Sequence, residues 1–425
     1  MRRKDFLRTG AAFVGGLPFW APDGGWAAGS GALPDVGTTP DGEALWALVR
    51  QLFYLDPEWT YLNTAGLGAS PHTVVQCLID WLEREERAPS AGRDAKEWLA
   101  VKEKLAAFLG GRVDKEDLAL IGSATEGVNV IVGGLPLAAG DEVITSTHEH
   151  VAVNAALLQR RQSSGIVIRL FEPDMKQGMN NVDRIAELMN QRTRLIIISQ
   201  VTCTTGQRFP EREICRLARE RGVFVALDAA QAPGNIPVDP MDYDVDFYTT
   251  STHKWLLAPK RTAFLYVRRP LLDTLRPACV GGFSAKEYDV RAGLLALQPN
   301  AQRYEYGTQN EALFYGLGRA LDFLQAIGMR RIWEHNKRLT EVCYSALQQM
   351  PQVELLSPEE EQYRTAIIGF RVKDRDLKEV AAHFERNRVH VRSVSEGGLN
   401  SLRISFHIYN RGEDVDRFLT VLRAL

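Results

Sequence analysis

The chain has 425 residues, of which 45% are hydrophobic and 24% charged, with a formal net charge of −2. That length implies two or three domains, or one large α/β domain with a smaller companion, and the composition excludes wholesale disorder. The balanced charge argues against nucleic acid as a partner. Five scattered cysteines, Cys77, Cys203, Cys215, Cys279 and Cys343, offer neither the spacing of a metal site nor a disulfide framework.

The opening "MRRKDFLRTGAAFVGGLPFWAPDGGWAAGS" has a basic start, a short apolar stretch and small residues near Ala27 and Ala28. It is too short and glycine-rich to span a membrane, and residues 1–29 fit a cleaved export segment. Arg2-Arg3 ahead of Phe6-Leu7 resembles a twin-arginine signal with one extra intervening residue, which implies a periplasmic location and the twin-arginine export machinery as a transient partner. A disordered basic terminus on a cytoplasmic protein is the alternative. Residues 30–60 then read as an arm packing on the small domain, with "EALWALVRQLFYLDPEW", from about 42 to 60, as its amphipathic helix.

Residues 71–109 are helical twice over, the second run stopping at Gly110 and Gly111. Next come short branched runs, "LALIGS", "DEVITS", "GIVIRLF", "RLIIISQVT", "GVFVALDAA" and "RTAFLYVRR", most of them separated by helical stretches. Near-continuous apolar strands alternating with helices predict a largely parallel sheet covered on both faces, in a large α/β domain over 61–314. The last third reads differently. Long helical patterns, the strand candidates "TAIIGFRV", "VHVRSV" and "SLRISFHI", and a closing helix predict a small α+β domain over 315–425.

Within "LIGSATEGVNVIVGGL", Ser123, Ala124 and Thr125 follow a strand and open a helix, a place for a phosphate or simply an ordinary cap. No GxGxxG or Walker pattern follows a strand. Asp228 ends the strand "GVFVALD" at the edge where α/β sheets bind ligands, although capping the next helix is the commoner use for a lone carboxylate there. Lys254 stands between "FYTTSTH" and "WLLAP". Apolar surroundings there depress its pKa and suit it to capturing a carbonyl, unless its stem packs and its ammonium reaches water.

"DAAQAPGNIPVDPMDYDVDFYTTSTHKWLLAPKRTAFLY" resembles the class V family of pyridoxal-phosphate aminotransferases, which contains cysteine desulfurases and isopenicillin N epimerase. The likeness runs from about Tyr61 through the last helix. It implies the fold type I architecture and a homodimer whose active sites lie at the subunit boundary. It also implies pyridoxal 5'-phosphate as cofactor, with Lys254 as the lysine that captures its aldehyde, Asp228 at the pyridine nitrogen, Gln231 at the 3′ oxygen and His150, rather than His148, stacked on the ring. Phosphate contacts are expected from Ala124, Thr125, Ser251 or Thr252, His253, and Thr308, the last reaching into the partner's site. Thr202 falls where desulfurases carry an asparagine. Arg403 resembles the arginine that grips the substrate carboxylate, with Asn63 and Arg392 as further substrate-wall residues.

The resemblance implies an aminotransferase-type enzyme acting on an amino acid or a peptide-like amine. C–S or sulfoxide lyase and epimerase chemistry are alternatives on the same fold, and a noncatalytic binding protein is the alternative of another class. A persulfide-forming desulfurase is disfavoured because "VHVRSVSEGGLNSLRIS" lacks the mobile cysteine, Cys203 lies in another loop, and Cys343 lies in a helical pattern. The ending "LRISFHIYN" and the export segment look closer to the isopenicillin N epimerase branch, in particular to its exported members that mature secreted siderophores.

Overall fold

The computed structural model describes residues 42–89 and 93–425, which fall in one compact unit. The export segment expected over 1–29 lies outside them. After the two-residue strand β1 (Thr60–Tyr61), the branched runs form a seven-stranded sheet. Its strands are β2 (Leu118–Ile121), β3 (Glu142–Ser146), β4 (Val167–Phe171), β5 (Thr193–Ser199), β6 (Phe224–Asp228), β7 (Phe247–Ser251) and β8 (Ala263–Val267). The order is β2-β8-β7-β6-β5-β3-β4, parallel throughout except that β8 runs antiparallel to β2 and β7.

Period-two alternation divides these strands between two cores. Leu118, Leu120, Ile196, Ile198, Val225 and Leu227 face one layer of helices, while Ala119, Ile121, Leu195, Ile197 and Ala226 face the other. The helices Ala124–Gly134 and Val151–Ser164 cover the second face with Val128, Ile131, Val153 and Leu157. This is the fold type I arrangement expected from the sequence.

Beyond the sheet, β9 (Ala285–Asp289) and β10 (Leu294–Leu297) form an exposed hairpin that the sequence reading did not foresee. The helices Glu311–Ile327 and Met329–Gln348 lead into β11 (Val353–Leu355), β12 (Ile367–Val372), β13 (Val389–His390), β14 (Arg392–Val394) and β15 (Ser401–Ser405). Four of these make an antiparallel sheet in the order β11-β12-β15-β14, and β13 instead pairs in parallel with β1. Thus "VHVRSV", read as one strand, divides between two sheets at Val391.

Two other expectations are corrected. The first described helix is Glu43–Arg50, not the whole of 42–60. Its buried Trp46 stacks on His335 with ring centroids 3.8 Å apart. The chain then leaves the helix because Phe53 bridges to Pro71 and packs its ring on Phe323 and Tyr409, so tertiary contact overrides the helical period. Second, "FYTTS", not named among the strand runs, is a fully buried strand, β7, although three of its residues are polar. Thr249 and Thr250 satisfy their hydroxyls on the carbonyls of Phe264 (2.9 Å) and Ala229 (3.0 Å), which allows them into the interior.

One buried carboxylate ties the sheet to the outer helices. Glu305 is fully buried and pairs with Lys102 at 2.7 Å and with Arg93. It also accepts hydrogen bonds from the indole of Trp98 (3.0 Å) and the amide of Leu120 in β2 (2.9 Å). Removing it strands two cations and two donors in the interior. Glu305→Ala should therefore lower the unfolding free energy by about 3–5 kcal/mol, read as a shifted urea midpoint with the active-site residues untouched.

Candidate active site

Strands β5, β6 and β7 end side by side, carrying Ser199, Asp228 and Ser251 at their carboxyl ends. These ends, the first turn of the helix Ala124–Gly134 and the turn after β7 enclose a cavity of about 320 Å³. Ala124, Thr125, His150, Asp228, Gln231, Ser251, His253, Lys254, Arg392 and Arg403 all line it, together with Ser123. Residues separated by up to 280 positions in the chain are thus gathered at one edge of the sheet, the usual ligand edge of an open α/β fold.

The turn bearing Lys254 is held from three sides. Gly68 donates its amide to the carbonyl of His253 (2.8 Å), and a Cβ at Gly68 would lie 1.9 Å from the Lys254 carbonyl oxygen, so only glycine fits. The indole of Trp255 donates to Gln231 Oε1 (2.7 Å), and Gln231 Nε2 donates to the Ala65 carbonyl (2.9 Å). Trp255 thereby fixes which way the Gln231 amide points. Behind it, the Nε2–H of buried His407 donates to the Trp255 carbonyl (2.9 Å), and burial pulls the pKa of His407 down to about 4.

The charges in the cavity are poorly compensated. Burial lowers the Lys254 pKa, with Arg403 and Arg392 acting in the same direction and Asp228 opposing. Among the described residues Lys254 and Asp228 make no ion pair, although both face the cavity. Among the hydrogen bonds of the described residues, the Asp228 carboxylate accepts only the amide of Ala230, at 3.0 Å. Burial, then Lys254 and Lys260, depress His253 to about 4, and its buried Nδ1 has no partner. His150 caps the helix Val151–Ser164 by accepting the Ala152 amide on Nδ1 (3.2 Å), and burial and Lys254 lower its pKa.

Arg403 is 1% exposed. Its Nη1 donates to the Cys203 carbonyl (2.6 Å) and its Nη2 to Asn63 Oδ1 (2.8 Å), while Nε has no partner. No carboxylate of the described residues pairs with it, and burial, followed by Arg392, lowers its pKa to about 10. Asn63 therefore orients Arg403 rather than lining the cavity itself.

These residues fit pyridoxal phosphate. A helix N-terminus with Ser123, Ser251 and the orphaned His253 Nδ1 suits a phosphate, and an unpaired lysine and carboxylate suit an aldehyde and a ring nitrogen. Two expected contacts lie elsewhere. Thr202 turns its hydroxyl into its own loop, toward Thr205 Oγ1 (2.9 Å) and the Gln207 amide (3.0 Å). Its neighbours Val201 and Cys203 line the cavity instead, the alternation of an extended loop showing odd positions to the site. Thr252 bonds the Thr262 carbonyl (2.8 Å). Thr308, expected at the partner's site, is exposed and outside this chain's cavity. His148 faces Glu172 (3.2 Å) rather than the cavity.

Glu149, beside His150, was not singled out from the sequence. It is fully buried, accepting the Ser146 hydroxyl (2.6 Å) and the hydroxyl and amide of Ser199 (2.6 and 2.8 Å). Burial raises its pKa from 4.5 to about 7 against those hydrogen bonds, and Asp228 adds to the rise. Below pH 4.5 folded and unfolded chains both carry the neutral acid. Between 4.5 and about 7 only the unfolded chain ionises, so this contribution to stability falls over that window. Glu149→Gln should remove on the order of 3 kcal/mol of that fall, measured by urea unfolding of the cofactor-free protein across the same window.

The aminotransferase class-V family profile matches residues 60–418. A cysteine desulfurase of Serratia proteamaculans is 27% identical over 383 residues, covering 86% of this chain and 93% of that protein. Among solved structures, a C-DES variant with glycine covalently linked to its PLP cofactor superposes with a TM-score of 0.81 at 23% identity, covering 90% of this chain and 99% of the other. The cystine C–S lyase C-DES with its product cysteine persulfide gives 0.79 at 23%, covering 86% and 97%. These relatives are of the desulfurase and C–S lyase kind rather than the isopenicillin N epimerase branch. They also correct the periplasmic location expected from the first residues: the matched relatives are cysteine desulfurases, and none is described as exported. By its profile, fold and cavity the chain belongs to the aminotransferase class-V family of pyridoxal-phosphate enzymes.

Proposed function

We propose that this protein is a pyridoxal-phosphate-dependent C–S lyase that splits the bond between the β carbon and sulfur of an amino acid. The observation that carries this reading is Arg403, a buried guanidinium with a spare donor and, among the described residues, no acid partner, opening on the same cavity as a lysine that makes no ion pair with them. That combination is built for an amino acid: a carboxylate for Arg403 and an α-carbon proton for Lys254. The C–S chemistry is taken from the relatives, which are cysteine desulfurases and a cystine C–S lyase. This reading replaces the aminotransferase reaction first expected.

Ala124, Thr125, Ser251 and His253 would hold the cofactor phosphate, His150 one ring face, and Asp228 and Gln231 the ring's polar atoms. When bound, pyridoxal phosphate supplies an electron sink for charge developing at the substrate α carbon. Arg403, held by Cys203 and Asn63, orients the substrate through its carboxylate. Lys254 Nζ, kept basic but readily uncharged by burial, takes the α proton. The β-carbon–sulfur bond then breaks with its electron pair on sulfur, which leaves as a thiol after gaining a proton. Hydrolysis of the remaining three-carbon fragment gives an α-keto acid and ammonia. We also read the chain as a homodimer that presents Thr308 to its partner's site, with 61–314 as the cofactor domain and 315–425 as a smaller one.

A second reading, sulfur transfer to an enzyme thiol, is favoured by the desulfurase names and by Cys203, the cysteine that lines the cavity. Burial raises the Cys203 pKa against the pull of Arg403 and Lys254, however, and a neutral thiol is a weak nucleophile. The loaded enzyme should release α-keto acid and thiol in equal amounts from S-substituted L-cysteines, and Cys203→Ser should still do so. Loss of sulfur release in Cys203→Ser would establish the transfer reading instead. Arg403→Lys, which keeps the charge but loses the paired donors, should lower kcat/KM about 10- to 100-fold in the same assay.

A further inference from the structure

Glu149 does not line the cavity, yet it stands between residues that do. Along the chain it precedes His150, which lines the cavity and caps the helix Val151–Ser164 through Nδ1. Across the sheet, its Oε2 accepts both the amide and the hydroxyl of Ser199 at the end of β5 (2.8 and 2.6 Å). Ser199 is the register partner of Asp228 in the parallel pairing of β5 with β6. Paired residues of parallel strands point to the same face, and Ser199 and Asp228 both line the cavity.

The other oxygen, Oε1, accepts the Ser146 hydroxyl at the end of β3 (2.6 Å), and that hydroxyl accepts the His148 amide (3.3 Å). From the helix, the Asn154 side chain donates to the Glu149 carbonyl (3.2 Å). One fully buried side chain therefore joins the ends of β3 and β5 to the residue that opens the helix. The charged side chain that acts on it most is Asp228, another acid, while His148 is turned to Glu172. A buried acid beside a second acid is a costly tie wherever packing alone is needed.

We propose that Glu149 is a positioning residue for the cofactor: by tying Ser199 to the turn before His150, it fixes His150 and the neighbourhood of Asp228. This role rests on the placement of His150 at a ring face and Asp228 at the ring's polar atoms, and it stands apart from the C–S lyase reading. The groups that face Glu149 are Ser146 from β3, Ser199 from β5, Asp228 from β6 and Asn154 from the helix. Its ionisation, at about pH 7, therefore sets a second carboxylate near Asp228.

The visible circular dichroism of bound pyridoxal phosphate reads the orientation of its ring and needs no turnover, so it decides the role even if no substrate is split. At about pH 6, Glu149→Gln keeps an uncharged side chain of the same shape. Its circular dichroism band should match the wild type, and its pyridoxal-phosphate dissociation constant should agree within about twofold. Glu149→Ala strands both serine hydroxyls and the Ser199 amide, and should weaken binding about tenfold with a changed band. Ser146→Ala, outside the cavity, removes one tie and should move band and affinity the same way by less. It carries the test if Glu149→Ala does not fold. Between about pH 6 and pH 8 the wild-type band should shift with a midpoint near 7, and the Glu149→Gln band should stay constant. Wild-type band and affinity in the alanine variants overturn the positioning role, as does a Glu149→Gln protein impaired like Glu149→Ala at about pH 6. A pH step that survives in Glu149→Gln belongs to another group and overturns the part given to the Glu149 charge.

Discussion

The proposed chemistry depends on keeping one lysine amine still inside a cavity with too little negative charge. The turn at Lys254 cannot relax: Gly68 lies under its carbonyl, Trp255 is tied to Gln231, and His407 holds the Trp255 carbonyl from behind. Buried donors and acceptors that are fully paired are costly to rearrange, so the network acts as a rigid mount. What it mounts is unpaired. Among the described residues, Lys254 makes no ion pair, and the His253 Nδ1 and the Arg403 Nε have no hydrogen-bond partner of the kind a purely structural core would give them. That contrast between a satisfied frame and an unsatisfied cavity separates a binding site from a packed interior.

The frame draws on distant parts of the chain. Ala65 and Gly68 come from the loop after β1, Gln231 from the segment after β6, and His407 from the segment after β15. The Asn410 side chain donates to the Tyr61 carbonyl (2.9 Å) and accepts the His407 amide (2.9 Å), joining the end of β15 to the start of the described sheet region. Folding of the last third is therefore a condition for positioning a residue in the middle. Arg403, the proposed substrate anchor, is held in the same way, since its two partners, Cys203 and Asn63, sit 200 and 340 residues away.

The architecture was legible in the sequence because it rests on local patterns. Runs such as "LIIIS" are short, β-branched and continuously apolar, the pattern of strands buried on both faces, and Asp228 and Lys254 flank such runs with charges that need a reason. The losses were equally physical. Three threonines in and around β7 disguised a core strand, because hydroxyls bonded to neighbouring carbonyls behave as interior groups. Thr202 and Cys203 differ by one position and hence by which way they face, a distinction that spacing alone does not resolve. Glu149 and His407 gained their importance only when folding buried them beside partners far away in the chain. The opening segment was given a meaning by its composition that the relatives do not support.

Whether Lys254 is the residue that captures the cofactor's aldehyde is the claim on which the rest stands, and reductive trapping tests it most directly. The protein is mixed with pyridoxal phosphate, treated with borohydride, digested and mapped by mass spectrometry. The account predicts a single phosphopyridoxyl addition on the peptide containing Lys254, with none elsewhere at stoichiometric cofactor. Addition at a different lysine, or no stable addition while the folded protein remains intact, would contradict it.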